Sequence, residues 1–309
     1  MMGGIDRSAV RRYLLFANQS LAATKMISRP RPQGDCGKSP FRYPGGKAVM
    51  LPEIHAAICS SPNSISTYAE PFAGGAGAAI ELLALGHVQK IVLNDADERI
   101  VAAWRAMLDE SSRFIDRIRS IDLTIDTWRA MNQIVKYPKL ANSNFDLGFA
   151  TFFMNRTNRS GIVVGAGPIG GYEQSGEWKL GARFYRDTIA ARIEWLAHHR
   201  TKIAITNLDG IEFLRSFRAE RARSTFFFID PPYVRAGSRL YLDAMNEKKH
   251  RKLAAAIRNK PSLMNWLMTY DDHPLIHEIY SYAQTDEFAI RYSLQKRGKT
   301  KEIVIRPVI

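Results

Sequence analysis

Residues 226–233, FFFIDPPY, place a carboxylate and an aromatic ring directly after four apolar residues. The apolar run reads as a buried strand, and Asp230-Pro231-Pro232-Tyr233 ends it, because proline lacks an N–H donor and fixes φ. A hydrogen-bond acceptor and a stacking face are thereby held stiffly at the carboxyl end of a central strand, where open α/β sheets bind ligands. A bare Asp-Pro pair would be no more than a capped turn; the full tetrapeptide behind a buried strand points to a site. A second constellation is 65–81, ISTYAEPFAGGAGAAIE, a strand, a glycine-rich turn and a helix of small residues. Gly74, Gly75 and Gly77 let the backbone pass close to a ligand, and the helix start behind them offers free N–H groups. The segment lacks the G-K-[ST] of a P-loop and does not reproduce G-x-G-x-x-G, so neither a nucleoside triphosphate nor a dehydrogenase cofactor fits. Glu70, just ahead of the turn, could hold a cation or a polar tail.

Asp95 closes IVLND at 91–95, eighteen residues after Gly77. An acid at that distance from a glycine turn can bond both ribose hydroxyls of an adenosine-containing ligand, although taken alone it reads first as a cap on the next helix. Tyr43 and Lys47 flank a tight turn in FRYPGGK at 41–47, and Asn207 and Asp209 follow another strand. His273 and His277, with Asp271 and Asp272 nearby, have Pro274 between them and no third ligand in a recognised spacing, so no metal is expected.

These residues need a scaffold, and from residue 39 onward short apolar runs alternate with helical patterns, the mark of an α/β domain with a mostly parallel sheet. Strands are expected at 65–69, 90–94, 202–207, 225–229, 264–270, 286–293 and 302–307. The last two, joined by KRGKT at 296–300, should form an antiparallel hairpin at one side of a doubly wound seven-stranded sheet. More than a hundred residues separate the second strand from the third, far beyond one crossover helix. An inserted, mainly helical subdomain is therefore expected, with helices over 97–155, a glycine-rich surface loop or loose hairpin over 156–181, and a helix over 182–199. The divisions read as a leader at 1–38, a catalytic domain at 39–109 and 200–309, and the insertion at 110–199.

The 309 residues are 46% hydrophobic and 24% charged, which excludes disordered and collagen-like classes, and no apolar stretch reaches the ~18 residues of a membrane span. Two cysteines, Cys36 and Cys59, match a reducing compartment, so the cytoplasm is expected. A net charge of +14 favours a polyanionic partner. The leader holds seven basic residues against two acids and reads equally as a DNA-touching arm or an extension before an internal start at Met26; a transit peptide is a third reading. Residues 235–260 hold eight basic residues against two acids, either phosphate contacts or a solvated face.

The order FRYPGGK, AEPFAGGAG, IVLND, an insertion and then DPPY resembles the Dam-like family of adenine-N6 DNA methyltransferases, in the arrangement where the recognition domain precedes the catalytic motif. The resemblance covers residues 39–309 and extends to TFFMNRTNRSG at 151–161, TYDDHP at 269–274 and KEIVIR at 301–306. It implies a Rossmann-like methyltransferase sheet and S-adenosylmethionine as methyl donor. By motif match, Tyr43, Lys47, Glu70, Pro71, Phe72, Gly74, Gly77, Asp95, Asp209 and Asp230 would line the cofactor site. Asp230, Pro231, Pro232 and Tyr233 would hold the target adenine, flipped out of double-stranded DNA. Asp230 and the Pro231 carbonyl would accept the two N6 hydrogens while Tyr233 stacks on the base.

Residues 156–181 do not resemble the recognition hairpin of GATC-methylating members, so that target is not carried over. Arg156, Asn158, Arg159 and Lys179 are candidate DNA contacts; a solvated loop capped by its own asparagines is the other reading. The family setting would suit a cognate restriction endonuclease. The alternatives are methylation of RNA adenine or of cytosine N4, or a catalytically silent DNA-binding relative; aspartate rather than serine at position 230 favours adenine.

Overall fold

In a computed structural model the chain is described over residues 37–42, 47–234, 245–289 and 301–308. The leader through residue 36, Tyr43, the KRGKT turn and the basic stretch at 235–244 lie outside the described residues. The strands are β1 (Thr67–Glu70), β2 (Lys90–Asn94), β3 (Ile203–Thr206), β4 (Thr225–Ile229), β5 (Trp266–Asp271), β6 (Gln284–Ala289) and β7 (Lys301–Arg306). They form one sheet in the order β3-β2-β1-β4-β5-β7-β6. β1 to β5 run parallel, and β7 lies antiparallel between β5 and β6. The doubly wound, mostly parallel expectation and its antiparallel hairpin are both present, with β6 starting two residues earlier than the sequence pattern suggests.

Each central strand is apolar on both faces because both faces are covered. In β4, Phe226 and Phe228 join one core cluster while Phe227 and Ile229 join the other. The same alternation divides Ile91 and Leu93 from Val92 in β2, and Val304 from Ile303 and Ile305 in β7. The first cluster is covered by α1 (Leu51–Cys59), α2 (Gly77–Ala84), α3 (Glu98–Asp109), α4 (Ser111–Ser120), α5 (Ile125–Lys136), α6 (Asn144–Thr157) and α7 (Arg186–His198). The second is covered by α8 (Gly210–Ser216), α9 (Ala219–Arg223), α10 (Glu247–Arg258) and α11 (Pro274–Ile279).

Helices α3 to α7 fill the long connection between β2 and β3. α6 is buried on all sides, the condition of a helix at the centre of a bundle rather than on its rim. It crosses α3 at Gly148, where a Cβ would lie 2.4 Å from the Ala102 carbonyl oxygen, so only glycine permits this approach. The residues after α6 form no regular hairpin; an isolated antiparallel bridge joins Asn158 to Pro168. Among the described residues no helix is long and apolar enough to cross a membrane.

Candidate active site at the carboxyl edge of the sheet

The chain reverses its winding between β1 and β4, and a cavity of about 890 Å³ opens beyond the carboxyl ends of these strands and of β2 and β3. This is the topological switch point of an open α/β sheet, and the volume lies within the range of ligand pockets. Of the residues singled out in the sequence, Lys47, Glu70, Phe72, Gly74, Gly77, Asp95, Asp209, Asp230 and Pro232 line it. Gly75 and Asn207 line it as well, and Pro71, Pro231 and Tyr233 adjoin lining residues in sequence.

Its floor is the glycine turn. Gly74 has φ +46° and Ala76, at the same φ, precedes α2, whose first N–H groups have no side-chain cap. The turn is pinned from β2: Gly74 N–H donates to Asp95 Oδ2 at 2.9 Å, and Ala73 N–H to the Asn94 carbonyl at 2.8 Å. Trp104 Nε1 donates to the Gly74 carbonyl at 2.9 Å. The residue that caps α3 is Asp97, which accepts from Arg99 N–H at 3.0 Å. Asp95 instead braces the glycine turn while lining the cavity.

The opposite wall carries Phe72 against Gly210, where a Cβ would stand 2.4 Å from the ring. Asp209 caps α8 by accepting from Ile211 N–H at 2.9 Å. Both walls hang on Asn94, buried at the end of β2, whose Nδ2 donates to the Pro71 and Leu208 carbonyls at 2.9 Å each. Its Oδ1 accepts from Leu208 N–H at 3.0 Å and Thr206 Oγ1 at 2.8 Å. Sequence reasoning passed over Asn94 in favour of its neighbour Asp95; the available signal was an amide at the last position of an otherwise apolar strand.

Asp230 stands where β4 ends, and its Oδ1 is fully engaged. Thr269 Oγ1 donates to it at 2.5 Å and Tyr233 OH at 3.1 Å, while Lys47 Nζ lies 3.5 Å away. Oδ2 has no partner among the described residues, and the side chain keeps 21% exposure toward the cavity. The tetrapeptide is tied to β5 by Val234 N–H donating to Asp271 Oδ1 at 3.1 Å. The Asp230 carboxyl stands above its ordinary value: burial pushes it up, Lys47 and the Thr269 hydroxyl pull it down, Glu302 raises it and the Tyr233 hydroxyl lowers it. Glu70, 4% exposed at the end of β1, is raised to about 8, first by burial, against the Tyr68 hydroxyl bond at 3.0 Å, and further by Asp230. Two residues the sequence reading left out of the site, Thr269 and Glu302, therefore set the state of Asp230.

The four candidate DNA contacts divide. Arg159 and Lys179 are exposed. Asn158 is a correction: it is wholly buried, accepting from Trp128 Nε1 at 2.7 Å and donating to the Ile162 and Val163 carbonyls at 2.7 and 3.2 Å. It fastens the end of α6 to the next loop and has no atom left to reach outward. Arg156 is also interior, 4% exposed, with Nη1 donating to the Pro40 carbonyl at 3.4 Å. Burial first, then the neighbouring Arg42 and Arg192, hold its guanidinium down at about 9. Arg183 lies over the exposed Trp178 ring at 5.6 Å and donates to Tyr185 OH at 3.2 Å, so a basic and aromatic surface does exist, a short way along the chain from where the sequence reading placed it.

Comparison with curated proteins gives no match. Among solved structures, the rRNA methyltransferase aviRa from Streptomyces viridochromogenes is similar at 13% identity, over 85% of this chain and 87% of that one, with a TM-score of 0.31. That likeness carries no weight beside the sheet order itself. The sequence model of the D12 class N6 adenine-specific DNA methyltransferase, by contrast, matches residues 43–294, from the turn before Lys47 to beyond β6. The chain belongs to that family, and its activity is methylation of adenine N6 in DNA.

Proposed function

We propose that the cavity takes S-adenosylmethionine beside an adenine flipped out of duplex DNA, and that Asp230 Oδ2 is the acceptor presented to the adenine amino group. The observation that carries this reading is the asymmetry of Asp230, a cavity-lining residue: Oδ1 is held by Thr269 and Tyr233, and Oδ2 has no partner among the described residues. The adenine N6 lone pair is delocalised into the ring, so the nitrogen is a weak nucleophile until acceptors draw its hydrogens out of plane. Asp230 Oδ2 and the Pro231 carbonyl supply two acceptors, and the Tyr233 ring offsets part of the unstacking cost of a few kcal/mol.

S-adenosylmethionine, when bound, supplies a methyl group on a sulfonium. The residues present suit such a ligand: the glycine turn admits close backbone approach, Asp95 and Asp209 offer carboxylates to hydroxyl groups, Phe72 offers a ring, and Glu70 offers a buried carboxyl to a cation. Lys47 belongs to the Asp230 side of the cavity, by its distances to Tyr233, Glu302 and Asp230. With both reactants aligned across the cavity, orientation contributes most of the rate.

We assign residues 110–199 to target recognition, with Arg159, Lys179 and Arg183 contacting phosphates or base edges and Trp178 and Tyr185 offering apolar faces. Residues 39–109 and 200–309 form the catalytic part. The test is transfer of labelled methyl from S-adenosylmethionine to unmethylated duplex DNA, followed by nucleoside digestion and mapping of modified bases. N6-methyladenine in one short motif is the expected result; transfer only to RNA, or modified cytosine, would refute the reading.

A further inference from the structure

Glu302 is a buried carboxylate at the start of β7, level with the carboxyl end of β5. It lies on β7, 2% exposed and next to Ile303 at 1%, opposite Asp271 of β5 and Phe288 of β6 in register. An ionised group so placed is strongly destabilising unless it is paired. Asp271, its cross-strand neighbour, accepts from the Val234 N–H. Among the described residues Glu302 pairs with Lys47, 255 residues away, whose Nζ lies 3.1 and 3.4 Å from the two carboxylate oxygens.

The same ammonium donates to Tyr233 OH at 2.7 Å and stands 3.5 Å from Asp230 Oδ1, so it is closer to Glu302 than to Asp230. A buried lysine with Asp230 as its sole carboxylate would close on it and occupy the lone pairs that a substrate amine requires. We infer that Glu302 is a positioning residue for methyl transfer: it draws Lys47 back from Asp230 and, through Lys47 and the Tyr233 hydroxyl, holds the Asp230 carboxylate with Oδ2 open to the cavity. The inference rests on the proposed role of Asp230 as acceptor.

Among the described residues, the groups facing Asp230 are Lys47, Thr269, Glu302 and Tyr233, with Glu70, Tyr68 and Tyr270 coupled to it at longer range. Glu302 raises the Asp230 carboxyl by charge repulsion. Removing that charge lets Asp230 ionise more easily, so the acid limb of the rate profile moves to lower pH even as the rate falls. A role confined to folding would move no pH limb.

The experiment measures kcat, KM for unmethylated duplex DNA and the kcat–pH profile for the full chain and for Glu302→Gln, Glu302→Asp, Lys47→Met and the Glu302→Gln/Lys47→Met double variant. Calorimetry with S-adenosylhomocysteine and thermal melting show that each is folded. Glu302→Gln is expected to lose kcat on the order of 100-fold with KM little changed, and to shift the acid limb downward. Glu302→Asp, which keeps the charge, should recover part of the rate and stands in if Glu302→Gln does not fold. In the Lys47→Met background, Glu302→Gln should cost nothing further, because both act through one ammonium. Wild-type kcat in Glu302→Gln, an unmoved acid limb, or additive losses in the double variant would overturn the inference alone. A wild-type chain that methylates no DNA would overturn the functional reading and this inference with it.

Discussion

Glu70 and Asp230 end adjacent parallel strands and face the same cavity, yet their surroundings hold them differently. Burial raises both carboxyls. Glu70 has the Tyr68 hydroxyl and no cation among the described residues, and stands at about 8, largely neutral at pH 7. Asp230 has the Lys47 ammonium, the Thr269 hydroxyl and the Tyr233 hydroxyl, all opposing the effect of burial. On the proposed reading, Glu70 is kept for a cation and Asp230 for the hydrogens of the adenine amino group. Two acids held apart in this way can take different roles in one cavity, Glu70 toward the cofactor and Asp230 toward the base.

The largest effect expected from this contrast is at Asp230. Asp230→Ala should lower methyl transfer by about 1,000-fold or more while leaving S-adenosylhomocysteine affinity within about 3-fold, measured by single-turnover kinetics and calorimetry. Equal loss of cofactor binding would break the division of roles. Gly210→Ala comes next: the new Cβ meets the Phe72 ring, so cofactor affinity should fall by about 30-fold with the fold retained.

Glu70→Gln addresses the neutral partner. In the wild type the folded carboxyl keeps its proton from the ordinary value of 4.5 up to about 8, a range in which the unfolded chain has lost it. The folded state therefore binds more protons there, and stability falls as pH rises through that window. Glu70→Gln should remove this decline in thermal melts between pH 5 and 8. If a cofactor cation ionises Glu70, binding at pH 7 should also release close to one proton in the wild type and none from this position in the variant, read by calorimetry in two buffers of different ionisation enthalpy. Identical proton release in both would sever Glu70 from the cofactor.

The residues that were legible in the sequence are those whose local pattern carries their role. FFFI followed by two prolines marks a buried strand and its end, and the glycines at 74, 75 and 77 mark a close backbone approach. The strand positions also follow from alternating apolar runs, within one or two residues at their ends except for β6, whose expected end lies outside the described residues. What could not be read depends on partners distant in sequence. The Lys47–Glu302 pair joins residues 255 apart: the sequence motif marks Lys47 for the cofactor site, but Glu302 alone resembles an ordinary strand-end charge. Asn158 looks like a loop asparagine until Trp128 and the Ile162 and Val163 carbonyls surround it. The end of α6 misleads for the same reason: Asn155, Arg156 and Thr157 are polar, and their bonds run to buried main chain at residues 40, 42, 153 and 161.

Tyr233→Phe is the smallest change and the finest probe of the comparison. If the side chain served only to stack on a base, losing the hydroxyl would be silent. Here the hydroxyl accepts from Lys47 at 2.7 Å and donates to Asp230 Oδ1 at 3.1 Å, linking the ammonium to the carboxylate. Its removal should cost about 5-fold in kcat, the worth of one hydrogen bond near a charge, with KM for DNA unchanged. The sign of the pH effect is more telling than its size. The hydroxyl lowers the Asp230 carboxyl, so losing it should move the acid limb to higher pH, opposite to the shift expected from Glu302→Gln. Opposite shifts would show that the two residues act on Asp230 from opposing sides. Shifts in the same direction would mean that Lys47 relaxes toward Asp230 in both variants, making the distance between ammonium and carboxylate, rather than the individual bonds, the quantity the site controls.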